Sequence, residues 1–246
     1  MFRADQREFI AEGPQAVREA LAAPHATLEV FATVAATDQH DDLVAAARRA
    51  EVEWHVVTDD VVEAIADTVQ PQGVVARCAM LDRPLEALLD RSPTFLVVCA
   101  DIRDPGNAGA VIRCADAAGA EGVVFVGDSV DPYNPKSVRA TVGSIFHVPI
   151  AISRDIPDAL GLVQAAGMTV LAADGHGDVG LFDAGLDLAA PTAWLMGNEA
   201  WGLPDEVRAL ADHVVAVPIF GRAESLNLAT AAAVCLYASA RARSSV

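Results

Sequence analysis

Lysine is almost missing from this chain. Lys136 is the only one in 246 residues, and 17 basic residues face 34 acidic ones, for a formal net charge of −17. Such a balance argues against a protein that coats nucleic acid through a general positive field, because phosphate backbones are bound by Lys and Arg and repelled by uniform negative charge. Cysteine is scarce too. Cys78, Cys99, Cys114 and Cys235 form no C-x-x-C pair, and three of them sit in apolar strand-like or helical surroundings, so they read as reduced core residues and not as a disulfide framework or thiolate metal site. The 6 histidines are scattered and suggest no metal; the patch DGHGD (174–178) reads as a plain turn after a strand-like 169–173. Long apolar runs are lacking. The opening MFRADQREFIAEG has no signal core, and the most apolar later stretch, 226–240, is interrupted by Asn227, Thr230, Tyr237 and Ser239, so no membrane segment and a cytoplasmic location are expected. No G-x-G-x-x-G follows the first strand, which counts against a nicotinamide-dependent oxidoreductase. Repeats and low-complexity runs are absent as well.

What is present is a hydrophobic share of 53%, ample for one large or two modest packed domains. The front of the chain alternates helix-like 13–22, strand-like 28–35, helix-like 41–50, strand-like 53–58, helix-like 61–68 and strand-like 73–80. This predicts a small α/β module. Residues 81–94, with Pro84, Pro93 and a short helix-like 84–89, form the natural boundary. Behind it the spacing predicts strands at 95–100, 122–127, 146–151, 169–173, 193–196 and 214–219. Helices are predicted at 108–119, 136–141, 156–166, 204–211 and 225–241. Apolar strands separated by helices mean a mostly parallel sheet covered on both faces.

Three strand-loop-helix units share one design. IRDPGNAGAVIRCADAAGA (102–120), LMGNEAWGLP (195–204) and VPIFGRAESLNLATAAA (217–233) each pass from an apolar run through a glycine-bearing polar loop towards a helix. In a parallel sheet the loops leaving the carboxyl ends of adjacent strands face one crevice, where ligands settle. Asn107 is placed to cap a helix starting at Ala108, with Val111, Ile112, Ala115 and Ala118 as its buried stripe. Arg113 is expected to run back over the bare Gly109 towards Asn107, because helical side chains lean to the N-terminus. Ser225 can cap the last helix, with Asn227 in its first turn, and the small apolar residues from 228 to 240 suit close helix packing.

These stretches resemble the signature motifs of the SpoU family of RNA ribose 2'-O-methyltransferases, of the SPOUT class: N-x-G-x-x-x-R from Asn107, G-N-E-x-x-G-L from Gly197 and P-I-x-G-x-x-E-S-L-N from Pro218. DPYNPKSVRATVGSIFHVP (131–149) is similar to the family's linking segment, and the likeness spans roughly 95–240. The front module resembles, more weakly, the ribosomal-protein-like substrate-binding domain of such enzymes. The resemblance implies an N-terminal RNA-binding domain at 1–83, a linker at 84–93 and, at 94–246, an α/β catalytic domain carrying a deep trefoil knot.

It further implies S-adenosylmethionine as cofactor, no metal, a homodimer through the catalytic domain and RNA as partner, ribosomal before transfer RNA. The alternatives are a transfer-RNA ribose methyltransferase and a catalytically silent RNA binder of the same fold. By likeness the reacting centre is Asn107, Arg113, Glu199, Ser225 and Asn227. The cofactor falls to Leu195, Gly197, Asn198, Gly202, Ile219 and Leu228, with backbone of Gly197, Ile219 and Leu228 around the adenine. Trp201 either stacks on a base or packs. A guanidinium is a poor base, so Arg113 is expected to stabilise the developing alkoxide and clamp a phosphate. Arg103, Lys136, Arg139 and Arg222 cluster in or beside the motifs, a local basic patch for RNA on an acidic body.

Overall fold

The computed structural model describes residues 6–183 and 185–244; the first five residues of the opening stretch read above lie outside them. The chain forms two compact units, one from Met1–Leu81 with Tyr133–His147, the other from Asp82–Pro132 with Val148–Val246. Up to Leu81 the elements are β1 Glu8–Glu12, α1 Pro14–Ala22, β2 Thr27–Thr33, α2 Val34–Gln39, α3 Asp41–Arg49, β3 Glu53–Val57, α4 Asp59–Ile65 and β4 Val74–Ala79. They are followed by α5 Leu85–Leu89, β5 Phe95–Ala100, α6 Pro105–Ala118, β6 Gly122–Val126, α7 Pro135–Thr141, a 3-10 turn Ser144–Phe146 and β7 Ile150–Ser153. The chain ends with α8 Ile156–Ala165, β8 Thr169–Ala173, β9 Val179–Gly180, β10 Thr192–Met196, α9 Asp205–Arg208, β11 His213–Ala216 and α10 Leu228–Arg243.

The first unit is a four-stranded sheet in the order β1-β4-β2-β3, antiparallel except for the β2-β3 pair. Its β1 was not foreseen, although EFIAE alternates as a half-buried strand should, with Phe9 and Ala11 inside. Pro14 opens α1 at a position where its missing N–H costs nothing, and Ala16, Val17, Ala20 and Leu21 form the helix's buried stripe. The strand expected over 28–35 stops at Thr33, whose hydroxyl accepts from Ala36 N at 3.1 Å and starts α2 instead. The later piece of the unit is held by its aromatics: the Tyr133 ring lies 4.9 Å from Phe9, and Phe146 5.7 Å from it. Tyr133 is buried, with its hydroxyl accepting from Leu81 N at 2.8 Å. With Phe146 turned onto Phe9, the strand expected from 146 begins only at Ile150.

The second unit is an all-parallel sheet of seven strands in the order β7-β6-β5-β10-β8-β11-β9. One face packs Leu96, Val98, Val124, Ala172, Ala193 and Leu195 against α5, α8 and α9. On the other, Trp194 Nε1 donates to Ser239 Oγ at 2.9 Å, so the large indole is buried against α10 without an unmet donor. The α10 and α6 helices pack on each other. Other elements also differ from expectation at their ends: β11 stops at Ala216, α9 is a single turn, and α10 starts at Leu228.

Candidate functional site

Strands β5, β10, β8 and β11 are consecutive neighbours and parallel, so the loops at their carboxyl ends share one edge of the second unit. A cleft of about 400 Å³ opens there, within the roughly 300–1,000 Å³ of ligand sites. Its walls are Asp174 to His176 after β8, Met196 to Gly202 after β10, Val217 and Ile219 after β11, and Glu224, Ser225, Leu226, Leu228 and Ala231 leading into α10.

Side-chain hydrogen bonds tie three of the loops together. Asp104, not Asn107, caps α6: its Oδ1 accepts from Asn107 N at 2.8 Å, and Pro105 supplies the first helical position. The helix therefore begins three residues earlier than expected, and Asn107 keeps its amide for other work. Its Nδ2 donates to Glu199 Oε1 at 3.2 Å, and its Oδ1 accepts from Asn227 Nδ2 at 3.0 Å. Asn227 in turn, not Ser225, caps α10, its Oδ1 accepting from Ala229 N at 2.9 Å and Thr230 N at 3.4 Å. The Glu199 carboxylate also accepts from the backbone N–H groups of Arg103 and Asp104, each at 3.1 Å.

The Asn198 amide completes the frame. Its Nδ2 donates to the carbonyl of Asp101 at 2.6 Å, and its Oδ1 accepts from Ala200 N at 2.8 Å. Asp101 adopts a φ of 53°, rare for a residue with a side chain, and its Oδ1 accepts from Asp128 N at 2.7 Å. The floor is glycine. A Cβ on Gly197 would lie 2.5 Å from the Gly202 carbonyl carbon, and Gly202 itself has a φ of 69°, so the two ends of the loop pack backbone against backbone where only glycine fits. Burial and the nearby Glu199 charge push the Cys99 thiol at the end of β5 up, which keeps it an inert core residue.

Of the residues expected to bind cofactor, Gly197, Asn198, Gly202, Ile219 and Leu228 line the cleft. Leu195 does not: its side chain is fully buried among Leu96, Ala193 and Leu203, on the face covered by α5, α8 and α9. Glu199 and Ser225 line the cleft, and Asn107 and Asn227 join it through hydrogen bonds. Arg113 is exposed on α6 and is not among the cleft residues, while Gly109, expected beneath its side chain, is buried. The four RNA candidates divide between the units. Arg103 and Arg222 are exposed in the second, Arg103 with an ion pair to Asp128 at 3.5 Å. Lys136 and Arg139 belong to the first, where Arg139 pairs with Glu12 at 3.4 Å and Asp67 at 2.9 Å. Trp201 is 58% exposed on the cleft wall, outside the core.

Asp174 and His176 were missed as cleft residues. DGHGD is a turn, as expected, with Gly177 N donating to Asp174 O at 3.1 Å, and the described residues contain no group of three metal-capable side chains. The turn reaches the cleft because β8 lies between β10 and β11, a neighbourhood that periodicity does not encode.

The chain is also similar to known proteins along most of its length. Residues 94–237 match the SpoU rRNA Methylase family, and residues 10–84 match the RNA 2'-O ribose methyltransferase substrate binding family. The 23S rRNA (guanosine(2553)-2'-O)-methyltransferase RlmP of Bacillus subtilis is 30% identical over 96% of this chain and 89% of its own length. The 23S rRNA (uridine(2479)-2'-O)-methyltransferase of Streptomyces viridochromogenes is 40% identical over 67% of this chain, a match spanning only 60% of that relative. Among solved structures, the SpoU methyltransferase AviRb from Streptomyces viridochromogenes, in complex with the cofactor AdoMet, superposes with a TM-score of 0.86 at 32% identity, covering 99% of this chain and 94% of the other.

Proposed function

The chain belongs to the SpoU rRNA Methylase family, and from that premise we propose that it is an S-adenosylmethionine-dependent RNA ribose 2'-O-methyltransferase acting on ribosomal RNA. The observation that carries the proposal is the cleft itself, with a glycine floor and a rim in which Asn227, Asn107 and Glu199 are joined by hydrogen bonds. The residues fit the cofactor: Gly197 and Gly202, which bring no side chain to the cleft lining, and apolar Ile219 and Leu228 suit a flat adenine, and Asn198 fixes the loop. When bound there, S-adenosylmethionine supplies an electrophilic methyl group.

The chain's own residues divide the remaining work. Glu199 accepts three N–H bonds, so it holds the start of α6 and Asn107 in register. Ser225 and Asn227 are exposed at the mouth, where they can orient the incoming ribose. Arg113 stabilises the developing 2'-alkoxide and clamps the neighbouring phosphate. It is exposed and outside the cleft of its own chain, as a guanidinium serving the cleft of a second copy would be, and this supports a homodimer through the catalytic region 94–246. Residues 1–83 select the RNA; the 84–93 segment, expected as a linker, joins them to the catalytic region and also contributes α5, whose Leu85 and Leu88 are buried in the core of the second unit. Arg103 and Arg222, exposed in the same unit as the cleft, meet phosphates. The insertion of β10 between β5 and β8, with α10 returning onto α6, supports a trefoil knot. The proposed site of action is the cytoplasm, where ribosomal RNA is met; no helix among the described residues is long and apolar enough to cross a membrane.

Tritium transfer from labelled S-adenosylmethionine into separated ribosomal and transfer RNA, followed by mapping of the 2'-O-methylated nucleotide, tests the proposal. Incorporation into ribosomal RNA alone is expected. Label in transfer RNA alone overturns the substrate, and label in neither, with cofactor bound, overturns the activity.

A further inference from the structure

The DGHG turn after β8 is built more firmly than a connection requires. Asp174 N donates to Val215 O at 3.1 Å, and Gly177 lies so close to β11 that a Cβ there would meet Val214 O and Ala216 N at 2.7 Å. This seats the Asp174 carboxylate in the cleft wall with its side chain only 9% exposed. Its Oδ1 accepts from His176 N at 2.9 Å and faces His176 Nδ1 at 3.1 Å, and its Oδ2 accepts from Arg208 Nη1 at 3.2 Å. Burial raises the affinity of this carboxyl for a proton, but the His176 and Arg208 contacts outweigh it and hold the group below its ordinary range. It is an anion at neutral pH. On its open side stands Gly202, which presents no side chain: a Cβ there would be 3.7 Å from Oδ2.

A carboxylate has about four acceptor positions, and three face protein nitrogens here, which leaves one for whatever occupies the cleft. Arg208 supplies positive charge to this carboxylate while also pairing with Asp205, and the single remaining acceptor position suits one hydroxyl donor. Resting on the placement of the cofactor in this cleft, we infer that Asp174 reads a ribose hydroxyl of S-adenosylmethionine and is a specificity-determining residue for the nucleoside. Arg208 and His176 are its positioning residues.

Calorimetric titration with S-adenosylhomocysteine and its 2'-deoxy and 3'-deoxy analogues tests this without turnover. The wild-type protein should lose about tenfold or more in affinity when the recognised hydroxyl is removed, as for a hydrogen bond to a charged group. Asp174→Asn should lose a similar factor for the parent ligand and no longer distinguish the analogues. Wild-type protein that binds all three equally overturns the inference, and so do variant and analogue losses that multiply. Ile219→Arg, which fills the adenine side of the cleft, separates the two readings. If it binds S-adenosylhomocysteine as well as wild type, the cofactor lies elsewhere and the cleft assignment fails. If it binds none while wild type ignores the hydroxyls, the cleft assignment stands and the role of Asp174 falls.

Discussion

Gly197 tolerates no side chain, since the carbonyl group of Gly202 occupies the space a Cβ would need. Gly197→Ala must push the 198–202 loop outward, and overpacking of this kind costs about 1–3 kcal/mol. A lowered melting temperature and weakened S-adenosylhomocysteine binding are the expected results, read by thermal denaturation and titration; an unchanged affinity would mean that the loop does not form the cofactor floor. Arg113 behaves oppositely. It is exposed on α6, so Arg113→Ala should leave folding and cofactor affinity intact. Removing a group that stabilises the developing alkoxide should slow methyl transfer by about 10²–10³-fold. Single-turnover transfer rates beside cofactor titrations check this, and wild-type rates would remove Arg113 from the chemistry.

At the scale of elements, the local signals were readable and the partnerships were not. The fully buried β5, β6 and β10 are short apolar runs, and both the run and its length point to central parallel strands. Helix starts were harder, because two polar residues compete for each cap. Asp104 precedes Pro105, whose ring fixes the helical φ, so the helix starts there and Asn107 falls in its first turn. Asn227 wins over Ser225 because its Oδ1 reaches the free N–H groups of Ala229 and Thr230, with Leu228 as the first helical residue. Equally hidden was the place of β8 beside β10, which brings Asp174 to the cleft: strand order is set by non-local pairing, and no period in the sequence records it. The double duty of Asn227 gives a further prediction. Asn227→Ala removes the cap of α10, at about 1 kcal/mol, and the bond to Asn107 at 3.0 Å. Asn227→Asp keeps the cap acceptor and loses only the donor to Asn107. Chemical denaturation should show Asn227→Asp near wild-type stability and Asn227→Ala below it, while both lose methyl transfer; equal activity in Asn227→Asp would show that the link between the loops is dispensable.

For the whole molecule, the problem is how a chain of net charge −17 holds a polyanion. Much of its positive charge is tied up: Arg77 pairs with Glu8 and Glu29, Arg139 with Glu12 and Asp67, and Arg208 with Asp174 and Asp205. Exposed guanidinium groups beside the motifs, at Arg103, Arg113 and Arg222, are few against a repulsive background. Each phosphate neutralised releases counterions, so the logarithm of affinity falls with the logarithm of salt by about 0.7–0.9 per contact. The body's negative charge acts in the other direction, since salt also screens its repulsion from RNA. The two effects separate in one experiment. Arg222→Gln should lower RNA affinity at low salt and flatten the salt slope by about one contact, roughly 0.7–0.9. Substituting an exposed acid that does not line the cleft, such as Glu63→Gln, should raise affinity slightly at low salt and vanish as an effect near 1 M, where the screening length is about 3 Å. Filter binding of a ribosomal RNA fragment across a salt series reads both. An Arg222→Gln slope identical to wild type would place the phosphate contacts elsewhere on the surface, with Arg103 and Arg113 the next residues to substitute.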